Sequence, residues 1–235
     1  APLFGDCAQH SEAGLAPAQP SVQAAAPIGL GVDLRHVNLR GRQVVLEPLK
    51  DEHAEDLRPA ASERDLWRYM GIDVASVDDL RDWIRKRQLG NVRGLGALPF
   101  LQRDAKTGQA FGSSSLFDID VANRKLEIGH TWLGASHRRS AANTEAKRLL
   151  LGHAFDTMGA IRVQLKCDAR NARSRAAIER IGAKPEGILR HWLLLPEGHR
   201  RDTAFFSVLE AEWPGVKARL DRMLQERPPT APAKG

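Results

Sequence analysis

Between Lys125 and Gly182 the chain runs strand, basic turn, helix, strand, polar turn, helix, and this succession limits the folds open to it more than any other feature. Lys125 to Leu133 is strand-like, and Thr144 to Met158 places Ala146, Leu149, Leu150, Ala154 and Met158 along one helical face, with Gly159 positioned to end it. Ile161 to Lys166 alternates Ile161, Val163 and Leu165 with Arg162, Gln164 and Lys166, the period of a half-buried strand. A helix from Ala172 to Ile181 turns Ala177, Ile178 and Ile181 inward and stops at Gly182. Upstream, Val44 to Leu46 before Pro48, Leu98 to Arg103 and Gln109 to Asp118 read as strands. Helices are expected over Asp51 to Ala61 and from about Ser76, where Leu80, Trp83, Ile84 and Leu89 recur at helical spacing. Downstream, Gly187 to Leu195 and Thr203 to Leu209 form a hairpin through Pro196, Glu197 and Gly198, and a last helix starts at Pro214. An antiparallel run feeding a βαβαβ-like half is an α+β architecture.

An apolar content of 42% over 235 residues suits one domain with flanking tails. Residues 1–32 are Ala, Pro, Gln, Ser and Gly-rich with little to bury, and residues 227–235 (RPPTAPAKG) carry adjacent prolines, so the expected domain is 33–226 between two disordered tails. The net charge of +6 suits an anionic cofactor, whereas acids interspersed among the bases from Asp51 to Glu226 argue against a nucleic-acid face. Cys7 and Cys167 lie in unrelated contexts, which argues against a disulfide and fits a reducing cytoplasm. No apolar run approaches the roughly 18 to 20 residues a bilayer span needs, and the start lacks a secretory layout. His130, His137 and His153 are not at metal-ligand spacing and no cysteine pair joins them, so no metal site is expected.

Chemistry concentrates in Trp132 to Glu145, WLGASHRRSAANTE, a strand entering a helix through a short basic turn. Unpaired amides at a helix N-terminus, with the helix dipole, form an anion site to which Arg138 and Arg139 would add charge-assisted hydrogen bonds. The plainer alternative is a basic turn before a helix capped by Asn143, with Glu145 in its favourable first turn. Asn171 could likewise cap the helix that carries Ser174, a residue mildly unfavourable one turn inside.

Together EIGHTWL (Glu127 to Leu133), RRSAANTEAKRLL (Arg138 to Leu150), NARSRAAIERIGA (Asn171 to Ala183) and EGILR (Glu186 to Arg190) resemble, in this order, the GNAT superfamily of acyl-CoA transferases, in particular its ribosomal-protein N-terminal acetyltransferases. The resemblance runs from about Val44 to Glu212. It implies a mixed, mostly antiparallel sheet of six to seven strands flanked by helices, with a V-shaped splay between the fourth and fifth. It also implies acetyl-CoA as acyl donor and a primary amine as acceptor, a protein N-terminus or a small molecule, attacked directly in a ternary complex. The family's phosphate loop falls on Arg138, Arg139, Ser140, Ala141, Ala142 and Asn143, leading into Thr144, with Ala141 and Asn143 where small glycine-like residues are usual. Trp132 and Leu133 end the strand whose backbone would line the pantetheine arm, and Asn171 matches the residue that contacts it. Ser174 matches the serine that protonates the departing thiolate, while the tyrosine many relatives use one turn later is Ile178 here. The altered loop and missing tyrosine raise one alternative, a weakly active or inactive acyl-CoA sensor or binding module.

An alkyl ammonium must lose a proton before it attacks a thioester, so a base is needed near the acceptor. Glu127 and His130 lie on the strand the resemblance sets beside the thioester, with His191 and Asp118 as lesser candidates. Glu127 could instead pair with a surface Arg, and His130 could be a packing residue. The two have opposite parity, so on a regular strand they face opposite sides. The early helices and last hairpin, carrying Arg64, Trp67, Arg68, Trp83, His191 and Trp192, would form the acceptor groove of a monomer or homodimer.

Overall fold

The computed structural model describes residues 37–89, 97–196 and 198–226. The expected tails, residues 1–32 and 227–235, lie outside the described residues, as do Cys7, Glu197 and the side chains of Arg64 and Leu89.

One eight-stranded sheet carries the domain, in the order β1-β2-β3-β4-β5-β6-β8-β7. The strands are β1 (Leu39–Arg40), β2 (Val44–Pro48), β3 (Leu98–Asp104), β4 (Ala110–Asp120), β5 (Lys125–Leu133), β6 (Arg162–Asp168), β7 (Lys184–Leu194) and β8 (Arg200–Leu209). Only β5 and β6 pair in parallel; all other neighbours are antiparallel. The strand beyond the expected six to seven is β1, whose two residues pair with Leu46 and Val45 and are too few to leave a periodic signature.

Among the described residues five α-helices cover the sheet: α1 (His53–Ala61), α2 (Val77–Leu89), α3 (Ala142–Gly152), α4 (Ala172–Arg180) and α5 (Trp213–Glu226). Successive residues of a strand face opposite sides, and on β3 Phe100 and Leu101 enter different apolar cores. Leu101 packs with Leu57, Leu80, Trp83 and Ile84 of α1 and α2. Phe100 packs in the cluster of Ala146 and Leu150 from α3, Ile178 from α4 and Leu220 from α5.

The helix expected over Thr144 to Met158 opens two residues earlier, and after α3 ends at Gly152 it continues as a π-type turn, His153–Thr157. Gly159 at φ 68° ends it, a backbone conformation few other residues accept. No helix among the described residues is long and apolar enough to cross a membrane.

Candidate active site

The site begins with a ladder that stops short. β5 and β6 pair only over Lys125 to Glu127 against Arg162 to Gln164. Beyond that point β5 follows β4, with Trp132 opposite Ser113 and Leu133 opposite Gly112, while β6 follows β8 along its whole length. The cause lies on β5: the β4 register skips between Ser113 and Ser115, and His130 takes a left-handed φ of 48°. A bulge bends its strand and ends local pairing. The two half-sheets diverge from Glu127 and Gln164, which is the expected V-shaped splay between these two strands.

Parallel strands end at the same edge of a sheet, so the segments following β5 and β6 open side by side. After β5, a short 3-10 turn (Ala135–His137) and Arg139, at φ 60°, lead into α3. The N-cap of α3 is Ala141, without a side-chain cap bond, so the expectation of Asn143 as cap is corrected. Ser140 does part of that work from outside the helix: its hydroxyl donates to the His137 carbonyl at 2.7 Å and accepts the Ala142 amide at 3.1 Å. The Glu145 amide bonds the Ala141 carbonyl. The amides of Asn143 and Thr144 project from the first turn, where the helix has no acceptor to give them.

The paired arginines differ in setting. Arg138 turns inward, donating from Nε to the Leu133 carbonyl at 2.9 Å and from Nη1 to the Glu63 carboxylate at 2.7 Å. Two of its three nitrogens thus brace the loop against the segment after α1, while Nη2 is buried without a hydrogen-bond partner. Arg139 is exposed. Sequence reading missed Arg180 on α4, which donates to the Thr144 hydroxyl at 3.1 Å and so brings a third guanidinium to the first turn of α3. It also missed the work of Glu145, whose buried carboxylate accepts the Arg42, Gln43 and Val44 amides at 2.9, 2.7 and 2.7 Å, tying α3 to the β1–β2 turn.

After β6, Asn171 caps α4 by accepting the Ser174 amide at 3.0 Å. The Ser174 hydroxyl contacts the buried Cys167 thiol, whose pKa burial pushes up and this contact partly offsets.

Glu127 is 1% exposed, and its Oε2 accepts both Gln164 Nε2 at 2.9 Å and Lys166 Nζ at 2.7 Å. The expected alternative of a surface Glu–Arg pair is thereby replaced by a buried Glu–Lys pair. Burial raises the carboxyl pKa and Lys166 opposes the rise. His130 packs against Phe117 with ring centroids 4.2 Å apart and planes tilted by 42°, and Phe117 sits directly opposite Glu127. The two candidate bases therefore share a face, because the bulge breaks the alternation from which opposite parity was argued. Desolvation, reinforced by Arg87, Lys166 and Arg201, lowers the His130 pKa to about 3. Such an imidazole is a poor proton acceptor near neutrality, whereas a carboxylate with a raised pKa is better matched.

On the same side lie Trp132, Trp67 and Trp83, with centroids 5.2 to 6.0 Å apart. Trp132 thus gives its ring to the α1–α2 core and leaves its backbone to the splay. His191 and Trp192 lie on β7, two strands beyond β6 in the sheet order. The His191 amide is held by the Asp202 carboxylate at 2.8 Å, and Trp192 meets Phe205 edge to face at 5.1 Å.

The family model described as Acetyltransferase (GNAT) domain matches residues 43–184. The Bacillus subtilis (strain 168) protein named "Putative ribosomal N-acetyltransferase YdaF" is 32% identical over 188 residues, 77% of this chain and 96% of that one. A GCN5-related N-acetyltransferase from Brucella melitensis superposes with a TM-score of 0.73 at 33% identity, covering 80% of this chain and 85% of its own. Mycobacterium smegmatis RimJ, solved in complex with CoA-disulfide, shares the fold at a TM-score of 0.65 and 23% identity, over 80% of this chain and 93% of that one. With the splayed β5–β6 pair and the helix opening behind it, these matches place the chain in the GNAT acetyltransferase family of acyl-transferring enzymes.

Proposed function

We propose that this chain transfers the acetyl group of acetyl-CoA to a primary amine, that of a protein N-terminus or a small molecule, by direct attack in a ternary complex. The observation that carries the reading is the splay itself: two parallel strands part at Glu127, and α3 opens its unpaired amides at the same edge. The residues fit the donor. The first-turn amides of Asn143 and Thr144, with Arg139 and Arg180 alongside, present donors and positive charge to a pyrophosphate. The edge of β5 beyond Glu127, released from β6, offers backbone groups to a pantetheine arm and to a thioester carbonyl. Acetyl-CoA held there supplies the thioester whose acetyl group is moved.

Glu127 takes the proton from the acceptor ammonium, directly or through water. Both of its hydrogen bonds fall on Oε2, which keeps Oε1 outside them. Ser174 donates a proton to the leaving thiolate, and Asn171, its Oδ1 engaged in capping, offers Nδ2 to the pantetheine.

A thiol-release assay with acetyl-CoA across a panel of amines, peptide N-termini included, tests the whole. No release with any amine, together with no calorimetric binding at millimolar acetyl-CoA, overturns it. Within that assay Glu127→Gln is expected to lower kcat about a hundredfold and Ser174→Ala roughly tenfold, with little change in KM for acetyl-CoA. Full activity in either variant removes the role given to that residue.

The two arginines separate in a second prediction. Arg139→Ala raises the KM for acetyl-CoA several-fold. Arg138→Ala lowers the urea midpoint, by about 1 kcal/mol in stability, because it releases the partly exposed Glu63 pair and the Leu133 carbonyl. An equal rise in KM in both variants would mean that both arginines hold the phosphates.

A further inference from the structure

The α1–α2 side of the splay holds a set of buried donors that protein partners leave unused. On α2, Arg81 bonds Asp78 and Glu55, and Arg85 bonds Asp51 and approaches Asp82. Arg87, two residues further on, has no carboxylate partner among the described residues. Its guanidinium lies 5.9 Å from the Trp83 ring centroid, and its buried Nε has no hydrogen-bond partner. Beside it, in the same aromatic cluster, Trp132 Nε1 is also buried and unpartnered.

Two serines of β4 share that face, because Ser113 sits opposite Trp132 and Ser115 opposite Gly129. Both are 0% exposed and both hydroxyls lack a partner. His130, next to Gly129, has its Nδ1 buried without a partner as well. Arg201 reaches the same neighbourhood from β8, spending its donors on neutral oxygens, Thr203 Oγ1 at 3.2 Å and the Tyr69 carbonyl at 3.3 Å. Lys166, the third cation acting on His130, is matched by Glu127. Three cations, Arg87, Arg201 and Lys166, thus face this side: Glu127 answers Lys166, with Asp118 4.0 Å from it at the margin, and Asp168 acts on Arg201, which leaves Arg87 as the cation without a carboxylate among the described residues.

Leaving so many donors dry and unpaired is costly unless something that only accepts enters among them. An oxyanion does: it takes hydrogen bonds from guanidinium, hydroxyl and indole together and neutralises the uncompensated charge. We infer that Arg87, with Ser115 and Trp132 behind it, forms a carboxylate subsite on the acceptor side, and that the preferred acceptor is a primary amine whose own molecule carries a carboxylate. This rests on the acetyltransferase reading above and specifies its substrate class. Two sources present the same chemistry: an acidic side chain in the first residues of a peptide, and the α-carboxylate of a free amino acid.

The test compares matched amines by thiol release: Ala-Asp-Ala-amide with Ala-Asn-Ala-amide, and free alanine with alaninamide. The wild-type protein is expected to prefer the carboxylate member of one pair at least tenfold in kcat/KM, mostly through KM, and the preferred pair identifies the source. In Arg87→Gln that ratio falls to within about twofold, and in Arg87→Lys it recovers part of the way; a ratio, unlike an absolute rate, is not moved by a general loss of folded protein. Equal kcat/KM within both pairs, or a preference that survives Arg87→Gln, overturns the subsite. Quenching of tryptophan fluorescence by the same four compounds gives a readout without turnover. Carboxylate-selective quenching lost in Arg87→Gln supports the subsite even where no thiol is released, in which case the transferase reading alone falls. Unselective quenching in the absence of turnover overturns the subsite too.

Discussion

Replacing Glu145 by Ala is expected to lower folding stability by roughly 3 to 4 kcal/mol, although the residue touches no part of the proposed acceptor site. The carboxylate is 5% exposed and takes three amides of the β1–β2 turn. Hydrogen bonds to a charged acceptor contribute about 1.5 to 3 kcal/mol each, and on truncation the Arg42 and Gln43 amides regain water in partial compensation. Val44 has no such recourse, because it is fully buried. Gly41 provides an independent check. A Cβ placed there would stand 2.4 to 2.5 Å from the Glu145 carboxylate, so Gly41→Ala strains the wild-type fold by collision with that one side chain. Urea denaturation of both single variants and the double variant should show strong coupling, with Gly41→Ala costing far less once Glu145 is Ala. Additive effects would mean that the carboxylate does not hold the turn. Since Glu145 belongs to the first turns of α3, its loss should also raise the KM for acetyl-CoA by loosening the helix that offers the phosphate-binding amides.

Glu145 also marks how far the sequence can be read. Its position near the start of a helix was legible and its dipole reading is sound, but the contact that matters spans about a hundred residues and has no local signature. Arg138 is a similar case: the strand, basic turn and helix were plain, whereas its commitment to Glu63 depends on where the segment after α1 comes to rest. Periodicity located seven of the eight strands and failed only for the two residues of β1. The error with most consequence for chemistry concerned His130. Nothing in Ile-Gly-His-Thr-Trp announces a left-handed histidine, and the parity rule assumes a regular strand, so the bulge that opens the splay was invisible together with the shared face of Glu127 and His130. The α3 terminus went the other way: Gly159 needs a positive φ, and that local requirement was correctly taken as the stop.

Stability should rise with pH above neutrality, and Lys147 is the reason. This lysine of α3 is 5% exposed and faces no carboxylate; its Nζ meets Thr131 Oγ1 at 2.6 Å and Ser114 Oγ at 3.4 Å, beneath the bulge. Desolvation lowers its pKa from 10.5 to about 7. Between those two values the unfolded chain holds a proton that the folded chain has given up, so raising the pH favours folding by up to about 1.4 kcal/mol per unit. The gain begins near pH 7, where the folded lysine deprotonates, and is complete near 10.5, where the unfolded one does. Across the window it amounts to about 5 kcal/mol. Lys147→Met removes the titration while keeping most of the volume, and the Ser114 and Thr131 hydroxyls still satisfy each other at 2.7 Å. The variant should therefore be the more stable protein at pH 7, with an advantage that shrinks steadily toward pH 10. Urea denaturation at intervals from pH 6 to 10 gives the difference curve, in which every group titrating alike in both proteins cancels; a flat curve would show that the buried amine keeps its ordinary pKa. The same substitution should cost turnover, because the ammonium or amine at Thr131 fixes the residue immediately after His130 and with it the bend that parts β5 from β6. A lysine buried at a loss of stability, at the place where β5 parts from β6, is what a site built for geometry rather than for stability requires.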